Sequence, residues 1–181
     1  MIQTKRLLLR QWQPSDFPLF AELCADSEVM KNFPSTLSRA ESDDFVARIQ
    51  GLIAERGWGL WAVEVPGVSD FIGFVGLHVP KDYLPFSPCV EIGWRLAKPY
   101  WGKGYASEAA TAALGYAFTE LQLDEVLSFT AVANLPSAAV MKRIGMTNTH
   151  RNFMHPDIEA GHPLSEHVLY RADRSEWARG D

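Results

Sequence analysis

The stretch KPYWGKGYASEAATAALGYAF, Lys98–Phe118, permits few folds. Gly102 and Gly104 stand between an extended apolar run, Cys89–Ala97, and an alanine-rich helical run. In that run Ala106, Ala110, Ala113, Ala117 and Leu121 fall on one helix face, widened by Ala109, Leu114 and Phe118. So many alanines let a helix lie close against a sheet. Glycine loses more backbone entropy than other residues, so two in one turn imply left-handed dihedrals or a close neighbour. Strand, glycine turn and helix together leave the first helical N–H groups unpartnered at the positive end of the helix dipole. Such a terminus receives anions, phosphates above all. Lys98 and Lys103 add positive charge there. The turn reads as a phosphate cradle; the plainer alternative is a helix start with two capping glycines. The P-loop pattern GxxxxGK[ST] is absent, and GxGxxG is not completed because Ser107 holds its last position.

The rest of the chain alternates helical and extended patterns. Thr4–Trp12 reads as a first strand and Pro14–Asp26 as a helix capped by Ser15 or Asp16. Ser38–Gly57 is a second helical region, with Ser38 and Glu41 in capping-box spacing and Gly57 as its stop. Trp58–Val65 and Asp70–Val79 flank Pro66-Gly67 as a hairpin. The proline-bearing loop Pro80–Pro88 leads to the strand Cys89–Ala97. Glu125–Ala133 is a further strand, Leu135–Gly145 a short helix, and two more strands fall within Met146–Met154 and Leu164–Arg171. No repeat, linker or low-complexity segment interrupts the 181 residues, which read as one mixed α/β domain, 1–181.

A net charge of −5 argues against bulk nucleic-acid binding, which needs a clustered basic surface. Cys24 and Cys89 lack CxxC spacing and read as reduced thiols. The five histidines show no metal spacing, so no metal is expected. MIQTKRLLLRQWQP has neither an apolar core nor a cleavage site, and no run approaches the roughly 20 apolar residues of a membrane span. A cytoplasmic protein without membrane partners is expected.

VEIGWRLAKPYWGKGYASEAATAAL, followed by VANLPSAAVMKRIGM, resembles the acetyl-CoA-binding core of the GCN5-related N-acetyltransferase (GNAT) superfamily. It is most similar to the branch of Rim-type ribosomal-protein N-terminal acetyltransferases. TKRLLLRQWQPSDFPLFAEL and FMHPDIEAGHPLSEHVLYR resemble that branch's opening and tail. The family pattern [QR]xxGx[GA] aligns with Pro99–Gly104. Both glycines match, and Pro99 departs at the leading position. The resemblance implies a mostly antiparallel sheet of about six or seven strands flanked by helices. It implies that the sheet splays between Ile92–Leu96 and Glu125–Ala133. The main chain of Ile92, Gly93, Trp94, Arg95 and Leu96 would then bond the pantetheine arm. Backbone amides across Gly102, Lys103, Gly104, Tyr105, Ala106 and Ser107 would hold the pyrophosphate. The implied reaction is direct acetyl transfer to a primary amine, either a protein N-terminus or a small molecule, by a monomer or homodimer. The competing readings are a non-catalytic acyl-CoA sensor and a nucleotide-binding domain without acyl chemistry.

Acetyl transfer needs a neutral amine, a stabilised carbonyl oxygen and a protonated or hydrogen-bonded leaving thiolate. Many members place a Tyr seven residues after the position of Asn134; here that position is Met141. By resemblance, Ser137 is then the donor to the CoA sulfur, its bland alternative being a helix-start residue. Asn134 contacts the cofactor or fixes the strand-to-helix turn. Lys142 and Arg143 are within reach of a CoA phosphate or simply complement a helix C-terminus. Strand alternation puts Glu91, Gly93 and Arg95 on one face, which makes Glu91 the candidate base or a structural ion pair. His155, His162 and His167 are alternative bases in the tail. Phe33, Trp58, Trp61, Tyr83 and the Pro80–Pro88 loop are candidates to shape the acceptor pocket.

Overall fold

In a computed structural model, which describes residues 1–177, the chain forms one twisted nine-stranded sheet with helices on both faces. The strands are β1 (Ile2–Gln3), β2 (Leu8–Arg10), β3 (Leu60–Val65), β4 (Ser69–His78), β5 (Glu91–Leu96), β6 (Glu125–Ala131), β7 (Thr147–Asn148), β8 (Phe153–Met154) and β9 (Glu166–Asp173). The helices are α1 (Asp16–Ala25), α2 (Arg39–Arg56), α3 (Tyr105–Thr119), α4 (Leu135–Arg143) and α5 (Arg174–Trp177). The sheet order is β1-β2-β3-β4-β5-β6-β9-β7, with β8 also on β9. Nine strands exceed the expected six or seven because β1 forms ahead of the first expected strand and one later expected strand is broken in two. Of the expected Thr4–Trp12 only Leu8–Arg10 joins the sheet, because Thr4 turns back on Leu7, its Oγ1 accepting the Leu7 N–H at 2.9 Å. Met146–Met154 yields two separate two-residue pieces on β9.

The β3–β4 hairpin forms as the Pro66-Gly67 turn requires. α2 carries the expected capping box, and Gly57 ends it at φ 80°. α1 starts differently from the expectation, since Ser15 makes no cap bond. Asp16 instead accepts the Gln13 N–H at 2.8 Å and both terminal nitrogens of Arg10 at 2.8 and 3.0 Å. Arg10 also reaches Glu64 at 2.9 Å, so one buried guanidinium ties β2 to β3 and to α1.

Cross-strand partners share a sheet face, which sorts the residues near the middle of the sheet. Phe74, Gly76 and His78 of β4 oppose Arg95, Gly93 and Glu91 of β5. Leu127 lies opposite Glu91, and Ala131 opposite His167. Arg95 stacks on Phe20 of α1 and Phe45 of α2, so α1 and α2 cover this face. The other face carries Trp61 against Tyr116 of α3, and Thr130 bonded to Asn134 at the start of α4. Core residues fill both layers, with Ala109, Ala110, Ala113 and Ala117 of α3 fully buried.

Candidate active site

β5 and β6 are the one parallel pair in the sheet, and they touch at a single register point, Glu91 opposite Leu127. Two bonds close that end: Leu127 N–H donates to Val90 O, and Ser128 Oγ donates to Ile92 O, each at 2.9 Å. Beyond Ile92 the strands part. Toward β4 the ladder continues, ending with Ala97 N–H on Ile72 O at 2.9 Å. Antiparallel ladders alternate, so Ala97, Arg95 and Gly93 point their backbone groups at β4, while Trp94 and Leu96 point theirs into the gap. The Leu96 carbonyl is taken by the Trp101 indole N–H at 2.7 Å. Trp94 is left offering an N–H and a C=O to any extended chain laid in the cleft. Nothing in the spacing of Trp101 marks an indole that folds back five residues.

The cleft runs to the glycine turn. A short 3-10 turn, Lys98–Tyr100, precedes it. Gly102 and Gly104 take φ of 71° and 80°, the left-handed region where a side chain is strained. Gly104 is the residue before α3, and no side chain caps that helix. Its opening N–H groups are therefore free for a ligand. Arg143, at the end of α4, donates from Nη1 to Ser107 Oγ at 3.1 Å, so a cation from another helix stands at this terminus. On the other side Arg6 donates to the Lys103 carbonyl at 3.0 Å and to Glu108 at 2.6 Å, while Thr4 Oγ1 adds a 2.7 Å bond to Glu108. Hydrogen bonding to Thr4 and Arg6 outweighs burial and holds the Glu108 carboxyl below its usual range. Arg6 and Glu108 are a brace that sequence reading missed, because its partners lie about a hundred residues apart.

At the start of α4, Asn134 Oδ1 accepts the Ser137 N–H at 3.3 Å, and Asn134 Nδ2 donates to Thr130 Oγ1 at 2.8 Å and Ser137 Oγ at 3.1 Å. Asn134 is thus the cap of the turn. Ser137 Oγ accepts from it and keeps its own proton to donate elsewhere. Met141, one turn on, is 1% exposed and packed into the core.

On the α1–α2 face, Glu91 is buried with Oε2 3.1 Å from His78 Nε2. Burial pushes the Glu91 carboxyl well above its ordinary range and lowers the His78 imidazole to about 4, with Arg48 and Arg56 adding to the latter. Next along β5, a Cβ at Gly93 would meet nothing within 4 Å. Empty space therefore opens over Gly93, between Glu91 and Arg95. The tail histidines separate: His162 is exposed, whereas His155 and His167 pack at a tilt with ring centroids 4.9 Å apart beside Phe129 and Phe153. Burial, then His155, lowers His167 to about 4. Of the aromatics expected to line a pocket, Trp61 is core, Tyr83 is an exposed partner of Asp157, Trp58 is half-buried, and Phe33 lies over Arg95. Among the described residues no cluster of metal-ligating side chains occurs, and no helix is long and apolar enough to cross a membrane.

A family model described as an acetyltransferase (GNAT) domain matches residues 6–147. An uncharacterized N-acetyltransferase of Bacillus subtilis, YnaD, is 33% identical over 179 residues, covering 97% of this chain and 98% of its own. The crystal structure of a GNAT-family acetyltransferase from Bacillus anthracis superposes with a TM-score of 0.79 at 29% identity, over 96% of this chain and 98% of that one. RimL, the ribosomal L7/L12 α-N-protein acetyltransferase solved with coenzyme A, superposes at 0.73 but is 18% identical, over 94% and 95% of the two chains. At that identity it shares the fold alone.

Proposed function

The chain belongs to the acetyltransferase (GNAT) family, and from that premise we propose that it carries an acetyl group from acetyl-CoA directly to a primary amine held over Gly93. One observation carries the reading. The gap between β5 and β6 ends at the uncapped start of α3, so an extended chain and its pyrophosphate have adjoining seats. Trp94 supplies main-chain bonds to the pantetheine arm, and the arm lies as a pseudo-strand from Ile92 to Leu96. The amides from Gly102 to Ser107 take the pyrophosphate, with Arg143 as their cation. The fit is chemical as well as spatial: both glycines take left-handed dihedrals, and a Cβ at Gly102 would have nothing within 4 Å. That open approach lets a phosphate reach the backbone.

The thioester supplies an activated acyl carbon and a thiolate leaving group. Ser137 donates a hydrogen bond from its free hydroxyl to the departing sulfur, while Asn134 fixes where that hydroxyl points. Glu91 accepts the proton of the amine across the empty space over Gly93. Burial raises the Glu91 carboxyl, which makes it a stronger proton acceptor than a carboxylate in water. His78 holds its Oε2. The acceptor is a protein N-terminal α-amine or a small amine, and the protein acts as a monomer or homodimer.

The test is thermal unfolding with acetyl-CoA, using ATP and other adenosine nucleotides as controls. Acetyl-CoA at 100 times its Kd adds about 2.7 kcal/mol, or roughly 5–11 °C for a domain of this size. A shift with acetyl-CoA alone supports the reading. No shift, or an equal one with ATP, refutes it.

A further inference from the structure

Among the described residues Arg95 is a cation without a counter-ion. It follows Gly93 on the α1–α2 face, and its guanidinium is enclosed by the rings of Phe33, Phe74, Phe45 and Phe20 at 4.2, 5.5, 5.8 and 5.9 Å. Among the described residues its one hydrogen-bond partner is Cys24, whose Sγ lies 3.3 Å from Nη1. Burial pushes the Cys24 thiol up, so the sulfur is neutral. Arg95 Nε is wholly withdrawn from water and has no partner. Among the described residues no carboxylate lies within 4 Å, and Glu91, the acid on the same face, is engaged by His78 instead.

Enclosing a charge this way is unfavourable unless something compensates it. Aromatic faces compensate in part. A guanidinium presents N–H groups in a planar fork that matches a carboxylate bidentately. With Nη1 turned to Cys24, the edge formed by Nε and Nη2 is the unused one. Beta-strand rise sets Arg95 about 7 Å along the groove from Gly93, where the open space lies. Phe33, 39% exposed in the loop between α1 and α2, is the outer cover.

We propose that Arg95 binds a carboxylate of the acceptor, so that the substrate is an amine that also carries a carboxylate rather than a polycation. The inference rests on the acetyltransferase reading above and narrows its substrate. Such an acceptor has two sources, a free amino acid or a peptide with an acidic residue near its N-terminus. Both have the same chemistry at this site.

The experiment follows CoA thiol release with Ellman's reagent. One arm compares free L-amino acids with their α-amides and with spermidine. The other compares short peptides bearing Asp or Glu at the second position with their Asn or Gln counterparts. In at least one arm the carboxylate form is favoured by tenfold or more in kcat/KM. Arg95→Met erases that preference mainly through KM, and Arg95→Lys keeps part of it. Which arm responds identifies the source. The proposal is overturned if amides or spermidine match the acids, if Arg95→Met keeps the preference, or if no carboxylate acceptor turns over. The acetyl-CoA thermal shift is read on the same preparations and separates the two readings. A shift without carboxylate preference refutes this inference alone, whereas a wild-type protein lacking the shift refutes the acetyltransferase reading and this one with it.

Discussion

Gly104→Val separates the cofactor seat from the fold. Gly104 sits at φ 80°, where a β-branched residue is a true outlier. Holding a non-glycine there costs about 1–2 kcal/mol, and the new Cβ would stand 3.3 Å from Arg6 Nη2. That atom ends a flexible, half-exposed side chain, so the clash relaxes cheaply. Against a typical stability of about 5–15 kcal/mol the variant stays folded. It has two ways to respond. It keeps the strained φ and pushes a branched side chain toward the ligand's approach, or it relaxes φ and turns the loop amides away. Either response weakens acetyl-CoA. If Kd rises about a hundredfold, a concentration that gave 2.7 kcal/mol now gives about 0.4, and the thermal shift falls from several degrees to about one. The assay is paired melting curves with and without acetyl-CoA, plus a circular dichroism spectrum to confirm folding. A folded Gly104→Val protein with the full shift would refute the cradle argument.

The remaining expectations are narrower. Ser137→Ala lowers kcat tenfold or more while leaving the KM for acetyl-CoA nearly unchanged; equal losses in both would mean Ser137 only shapes the helix start. Asp16→Ala strands the buried Arg10 charge and costs about 3–5 kcal/mol by urea unfolding, whereas a loss below 1 kcal/mol would show that Glu64 suffices. Gly76→Ala is not tolerated, because its Cβ would fall 2.1 Å from the Gly59 carbonyl oxygen; a soluble variant of wild-type stability would contradict that packing. His167 is held neutral, with its folded pKa lowered to about 4, so the unfolded state binds the proton first as pH falls. Its contribution is intact above about pH 6.5 and is lost toward pH 4. The stability difference between wild type and His167→Asn should therefore shrink across that window; a constant difference would refute the assignment.

Local pattern carried what was legible in the sequence. The capping box at Ser38, the glycine turn, the alanine face of α3 and the hairpin at Pro66-Gly67 are written in neighbouring residues, and each forms where expected. What stayed hidden depends on contacts between distant segments. Nothing near Arg6 announces Glu108, nor does anything near Glu91 announce His78. Alternation correctly grouped Glu91, Gly93 and Arg95 on one face but could not say which helices cover it. Composition likewise could not tell Trp61 in the core from Phe33 at the surface, since both are large aromatics and burial alone divides them.

That division bears on proton delivery. A donor to the departing sulfur must lie on the α4 surface that faces the cleft, and since residues four apart share a helix face, burial is what separates the two candidates there. Ser137 is half-buried near the start of α4, joined through Asn134 to Thr130 of β6. Met141 follows four residues later but is packed into the core. A tyrosine placed there would have to displace core side chains before it reached the cleft. Met141→Tyr should therefore destabilise the fold by about 1–3 kcal/mol without restoring turnover to Ser137→Ala. Rescue of turnover by the double variant would show that position 141 does reach the sulfur, and would remove Ser137 from the role proposed for it.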